Sequence, residues 1–172
     1  MKSIITVVFI AFLGLTSCTT TNDKNQLTSG EIKTLQLVKD ELEIRALAEK
    51  FSDAANHKDG AQFQSLWAEE GIWKIGPPIN MEFKGKEKMG SSVTHMLVLW
   101  DFFVQLSGSG AVNINGDKAT ARFYVNEIAR KADDKSGNYN LSVYEDELTM
   151  ENGFFKKEPI TPFIKKHRIM KA

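Results

Sequence analysis

IRALAEKFSDAANHKDGAQFQSLWAEEGIWKI, residues 44–75, is the stretch that decides the fold. Ile44, Leu47, Ala48, Phe51, Ala54 and Ala55 recur at three- and four-residue spacing, the single apolar stripe of an amphipathic helix. Asn56-His57-Lys58-Asp59 interrupts that stripe. Asp59 then suits the N-cap of a short second helix, with Gln62 in the capping-box position. Phe63, Leu66 and Trp67 supply that helix with its own apolar face, and Gly71 after Glu69-Glu70 reads as a residue just past its end. Ile72, Trp73 and Ile75 enter a strand. Helix, corner, helix and strand in close succession form a scaffold for a sheet to wrap.

Upstream, Ile32, Leu35, Val38 and Leu42 carry helical spacing back to Thr28-x-x-Glu31, a capping-box pattern. Whether one helix runs through or breaks near Asp40 is open at this level. Residues 19–29, TTTNDKNQLTS, are polar and read as a tether. Before them, Lys2 and the apolar run Ile4 to Leu15 form a segment too short to span a bilayer comfortably, which suits a secretory leader. Leu15-Thr16-Ser17-Cys18 resembles the bacterial lipobox, implying an exported chain lipidated on Cys18 and anchored to the cell envelope. By the same resemblance, Thr19 after that cysteine favours the outer membrane. The alternative is a plain signal peptide whose cysteine is incidental. Cys18 is the sole cysteine, so no internal disulfide forms. The expected organisation is a leader over 1–18, a tether over 19–29 and one domain over 30–172. Balanced charge, 22 Lys and Arg against 22 Asp and Glu, argues against a nucleic-acid partner.

Downstream, Pro77-Pro78 predicts an irregular extended segment. Gly85 precedes a third helix expected from Lys86 to about Val104, with Met89, Val93, Met96, Trp100 and Phe103 on one side. Asn115-Gly116 and Asn152-Gly153 are signals for type I′ hairpins. Between them Ala119, Ala121, Phe123 and Val125 alternate with polar neighbours, and Leu141 to Met150 forms a second long strand. Phe154-Phe155 begins another strand, and Phe163 to Met170 suits a last edge strand. Three helices followed by a bent antiparallel sheet make an α+β fold.

In that order and spacing, FSDAANHKDGAQFQSLWAEEGIWKI, FKGKEKM, INGDKATARFYV and YEDELTMENGFF resemble the motifs of the nuclear transport factor 2-like superfamily, and within it the SnoaL-like group. The resemblance implies a cone-shaped half-barrel, a strongly curved antiparallel sheet over about three N-terminal helices, closed around an apolar pocket. It also implies homodimers through the outer sheet face. Enzymes of the group (dehydratases, cyclases and isomerases) carry an aspartate at the corner and a histidine at the third-helix exit. Here the matching positions hold Asn56 and Gln105. An amide exchanges no proton near neutral pH, so the chain leans away from acid-base catalysis and toward holding a small apolar ligand.

Trp73, Phe83, Trp100 and Tyr124 are expected either as pocket lining or simply as core, with Asn56 and Gln105 as further ligand-binding candidates. Tyr144 and Asp146 share a strand face as a pair at the pocket wall or as a structural bond. His95, Asp146 and Asp53 are the candidates for an enzymatic alternative, while His57 and His167 read as solvent-facing. A third alternative is a protein-interaction module of the envelope. Scattered histidines give no metal-ligand spacing, and no cofactor is expected. Lys156-Lys157 and Lys165 to Arg168 read as a solvated edge that discourages strand addition.

Overall fold

The computed structural model describes residues 27–77, 79–108, 110–160 and 163–170. The expectations for the leader, Cys18 and most of the tether fall outside the described residues. Helix α1 runs unbroken over Ser29–His57. Thr28 caps it as a capping box: its hydroxyl accepts from Glu31 N–H at 3.3 Å, and Glu31 Oε2 accepts from Thr28 N–H at 2.7 Å. Beyond His57 the chain turns at Lys58, a left-handed residue with φ of 56°. Asp59 Oδ1 accepts from Gln62 N–H at 2.9 Å and starts α2, Gly60–Ser65.

Helix α2 ends sooner than its apolar spacing suggests. Leu66 and Ala68 spend their backbone groups on Lys157: Lys157 N–H donates to Leu66 O and Ala68 N–H to Lys157 O, each at 3.0 Å. Gly71 therefore does not cap the helix. It lies where chains approach closely, and a Cβ there would meet Lys157 O at 3.0 Å and the Trp67 ring at 3.3 Å.

Strand β1, Ile72–Ile75, pairs with β2, Met81–Lys84, a strand in the segment expected to be irregular. Helix α3 covers Lys86–Leu97, and β3 covers Trp100–Ser107. The expected continuation of α3 to Val104 is thus corrected. The cause is a β-bulge between Trp100 and Phe102, where β3 pairs Trp100 with Lys131 and Phe103 with Ala129. Three residues on β3 span two on its partner, so Trp100 and Phe103 share a face at a spacing that imitates a helix.

Strands β4 (Ala111–Asn115), β5 (Lys118–Lys131), β6 (Gly137–Glu151), β7 (Phe154–Ile160) and β8 (Phe163–Met170) complete the sheet. Long β5 and β6 form its spine. Strand β4 pairs the start of β5 and β3 pairs its end; β7 pairs the end of β6 and β8 its start. Among the described strands the pairings are antiparallel except β1 with β7, which meet in parallel at Trp73 and Ile160. Asn152 and Gly153 both take positive φ, as a type I′ turn requires. In the other hairpin only Gly116 does, and the loop is Gly116-Asp117. The result is the expected α+β half-barrel, its antiparallel sheet curled over the helices. The stripe Ile44, Leu47, Ala48, Phe51, Ala54 and Ala55 is buried against the sheet throughout.

Candidate functional site

A cavity of about 120 Å³ lies between the helices and the concave face of the sheet. Phe51 from α1, Trp73 from β1, Met96 and Leu97 from α3, and Trp100 and Phe103 from β3 form its apolar wall. Aromatic edges lock that wall together. Phe51 meets Tyr144 with ring centroids 5.2 Å apart and Trp73 at 6.2 Å, both edge-on. The bulge in β3 is what turns Trp100 inward alongside Phe103.

A polar band crosses the opposite wall: Gln105, Glu127, Asn138, Asn140, Ser142 and Tyr144. The sheet register explains it. Gln105 pairs with Glu127 across β3 and β5, and Glu127 pairs with Asn140 across β5 and β6. Asn140 Nδ2 donates to Glu127 Oε2 at 2.8 Å. Burial raises the Glu127 pKa, and the Asn140 bond opposes that rise without cancelling it. The Tyr144 phenol is pushed well above its usual pKa by burial first, and then by the charges on Glu127 and Asp146.

The corner amides meet. Asn56 Nδ2 donates to Gln105 O at 2.9 Å, and Gln105 N–H donates to Asn56 Oδ1 at 2.7 Å. The Asn56 side chain therefore acts as a short piece of strand that closes the edge of β3. It stands outside the cavity lining and braces that wall from behind. Gln105 lines the cavity, and its Nε2 donates to Ser52 Oγ at 3.1 Å. It sits on β3, not at the end of a helix.

Trp73, Trp100, Gln105 and Tyr144 line the cavity. Phe83 packs behind Trp73, ring centroids 5.3 Å apart, as an outer layer. Tyr124 is exposed on the outer face of β5, because the alternation that buries Phe123 and Val125 turns it outward. Asp146 is buried away from the cavity in an ion pair with Lys157. His95 is exposed on α3, where Nδ1 meets Ser91 O at 2.8 Å. Asp53 is exposed near His57 Nδ1, at 3.2 Å, and accepts from Gln62 Nε2 at 3.1 Å. Neither His95 nor Asp53 touches the cavity. Among the described residues no cluster of His, Cys, Asp or Glu is placed to hold a metal ion.

Two features are not apparent from composition and motif alone. Glu127 is one, and its signal is phase: Ala119, Ala121, Phe123, Val125 and Ala129 all point inward, and Glu127 falls in step with them. Lys157 is the other. The pair Lys156-Lys157, expected on a solvated edge, is split, because Phe155 and Lys157 share the buried face of β7.

A family model described as SnoaL-like domain matches residues 36–156. No curated protein matches the chain by sequence. Among solved structures, a hexachlorocyclohexane dehydrochlorinase (LinA) type 2 superposes with a TM-score of 0.74 at 14% identity, over 81% of this chain and 94% of that one. The LinA type 3 enzyme from Novosphingobium barchaimii superposes at 0.72 and 15% identity, over 80% of this chain and 94% of that one. An ntf2-like protein with a cystatin-like fold from Novosphingobium aromaticivorans gives 0.69 at 18% identity, over 81% and 91%. At these identities the likeness is one of fold.

Proposed function

Because the chain belongs to the SnoaL-like domain family, whose members include pocket binders and enzymes, we propose that its cone holds a small, mainly apolar molecule. The observation that carries this reading is the cavity itself, walled by aromatic rings from five elements. Its volume is near that of cavities of about 150 Å³ that accept benzene, so a single six-membered ring is the right scale. The dehydrochlorinases of this fold are named for hexachlorocyclohexane, a six-membered ring that its chlorines make bulkier than benzene. Toluene added to the purified full-length chain should raise its Tm and quench tryptophan fluorescence in a saturable way. An unchanged Tm and spectrum at saturating toluene would remove this reading.

The outer sheet face favours a second element of the proposal, association with another copy. Phe102 and Leu106 on β3 and Tyr124 and Ile128 on β5 are exposed there, Leu106 at 61%. Register places Phe102 opposite Arg130 and Leu106 opposite Asn126, so these side chains belong to adjoining strands of one surface. Single exposed apolar residues are ordinary, but a contiguous set on one face marks an interface. Light scattering should report the mass of two chains, and Leu106→Glu should reduce it to one. A wild-type monomer at tens of micromolar would count against it.

A further inference from the structure

Resting on the cavity reading above, we propose that the cone recognises a neutral ring-sized molecule through an oxygen atom, to which Glu127 in its acid form donates a hydrogen bond. Among the described residues Glu127 is the only carboxylic acid lining the cavity, and no Lys, Arg or His lines it. The buried Asp146 has Lys157 as counter-charge; among the described residues Glu127 has only the neutral amide of Asn140. A carboxylate facing an apolar hollow with no cation is costly, and taking up a proton removes that cost. The upward displacement of its pKa by burial points the same way.

The arrangement fits a donor. Asn140 Nδ2 occupies Oε2, which leaves the other carboxyl oxygen to carry the proton. Trp73, another lining residue, is 4% exposed, and its buried indole N–H has no partner among the described residues. A donor at the cavity wall favours a ligand that brings an acceptor, such as a ketone or ether oxygen, over a hydrocarbon. An anionic ligand would meet no cation among the described lining residues.

Among the described residues, the titratable and charged groups that share the cavity with Glu127 are few. From β3 come Gln105 and Phe103, from α1 Phe51, and from α3 Met96 and Leu97, none of them charged. From β6 come Asn138, Asn140, Ser142 and Tyr144, and the Tyr144 phenol stays neutral. Register puts Asp146, bound to Lys157, further along β6, and Lys131 at the far end of β5. On β8 the register sets His167 opposite Asn140. That register makes His167→Gln the control variant for this row.

Cyclohexanone and toluene, titrated calorimetrically into the full-length chain between about pH 5 and about pH 9, test this. Cyclohexanone should bind on the order of fivefold tighter at the acid end, where more of Glu127 carries its proton, and toluene equally at both ends. Glu127→Gln keeps a donor at every pH. It should hold the acid-end affinity for cyclohexanone and lose the pH dependence, while Glu127→Ala binds the ketone no better than toluene. His167→Gln should leave the wild-type profile intact. A flat wild-type profile overturns the proposal without a variant, and so does a profile abolished by His167→Gln. Toluene binding with no pH-dependent preference for the ketone would sink Glu127 recognition and leave the apolar cavity standing. If neither probe binds, both fall.

Discussion

Changing Lys157 to methionine is expected to destabilise the protein by about 3–5 kcal/mol, one of the two largest effects foreseen for a single side chain. Lys157 and Asp146 are each 2% exposed, and Lys157 Nζ binds Asp146 Oδ2 directly. The other carboxylate oxygen, Oδ1, has no partner among the described residues. The ammonium also lies 5.2 Å from the Phe51 ring centroid, a cation–π contact in a desolvated setting. Methionine keeps most of the stem's length and apolar volume, so the loss isolates the charge. What remains is a carboxylate deep in the core that has lost the cation bound to it. Pairing Lys157→Met with Asp146→Leu should return stability to within about 1 kcal/mol of wild type or above it, because an apolar pair needs no desolvation. Urea denaturation reads both variants, provided the m-value is unchanged. A single-variant cost below about 1 kcal/mol would show that Asp146 does not depend on Lys157 for its counter-charge.

This ion pair also shows what the sequence hides. Two adjacent lysines look alike on paper, and a run of charge suggests a wet edge. The period of a strand separates them: Phe155 and Lys157 turn inward, while Phe154 and Lys156 turn out. The partner Asp146 lies in a strand whose inward phase is legible from Tyr144 and Leu148. Hydrophobic scoring fails here because it treats lysine as an outside residue, whereas its four-carbon stem is apolar and its charge is satisfied across the sheet.

The helical stripe from Ile44 to Ala55 is fully legible, because one apolar face against a sheet needs no long-range information. The turn after Asn152 is legible too, since few residues tolerate two successive positive φ values. The α3–β3 boundary is not. Trp100 and Phe103 keep a spacing of three because a bulge in β3 absorbs the extra residue, and a bulge follows from pairing with β5, which lies beyond a local window. Tyr124 misleads for a simpler reason. As an aromatic it suggests a pocket wall, but its phase against Phe123 and Val125 already places it outside. The same phase finds Glu127. The meeting of Asn56 with Gln105 comes through family resemblance, and its form, a side chain bonded to backbone, needs coordinates.

Phe51→Ala is expected to cost about 3–5 kcal/mol, the range for deleting a buried phenyl ring that its surroundings cannot refill. Phe51 is 3% exposed and meets Phe63 at 4.9 Å, Tyr144 at 5.2 Å and Trp73 at 6.2 Å between centroids. Those three rings sit on three different elements, so none can move into the space without leaving its own strand or helix. Phe51→Leu, which keeps much of the apolar volume, should cost on the order of 1–2 kcal/mol. The ring also covers the Lys157 ammonium, so the two sites are coupled. In a Lys157→Met background the penalty for Phe51→Ala should shrink by at least about 0.5 kcal/mol, since the cation it shields has gone. Additive losses would mean that the ring contributes packing alone. Because Phe51 is also cavity wall, Phe51→Ala should shift ligand preference from toluene toward a fused two-ring hydrocarbon such as naphthalene. Unchanged preference in a folded variant would mean that the wall closes over the missing ring, and then the stability loss should fall below about 3 kcal/mol as well. The two readouts are thus tied by one physical quantity, the volume left behind when the phenyl ring is removed.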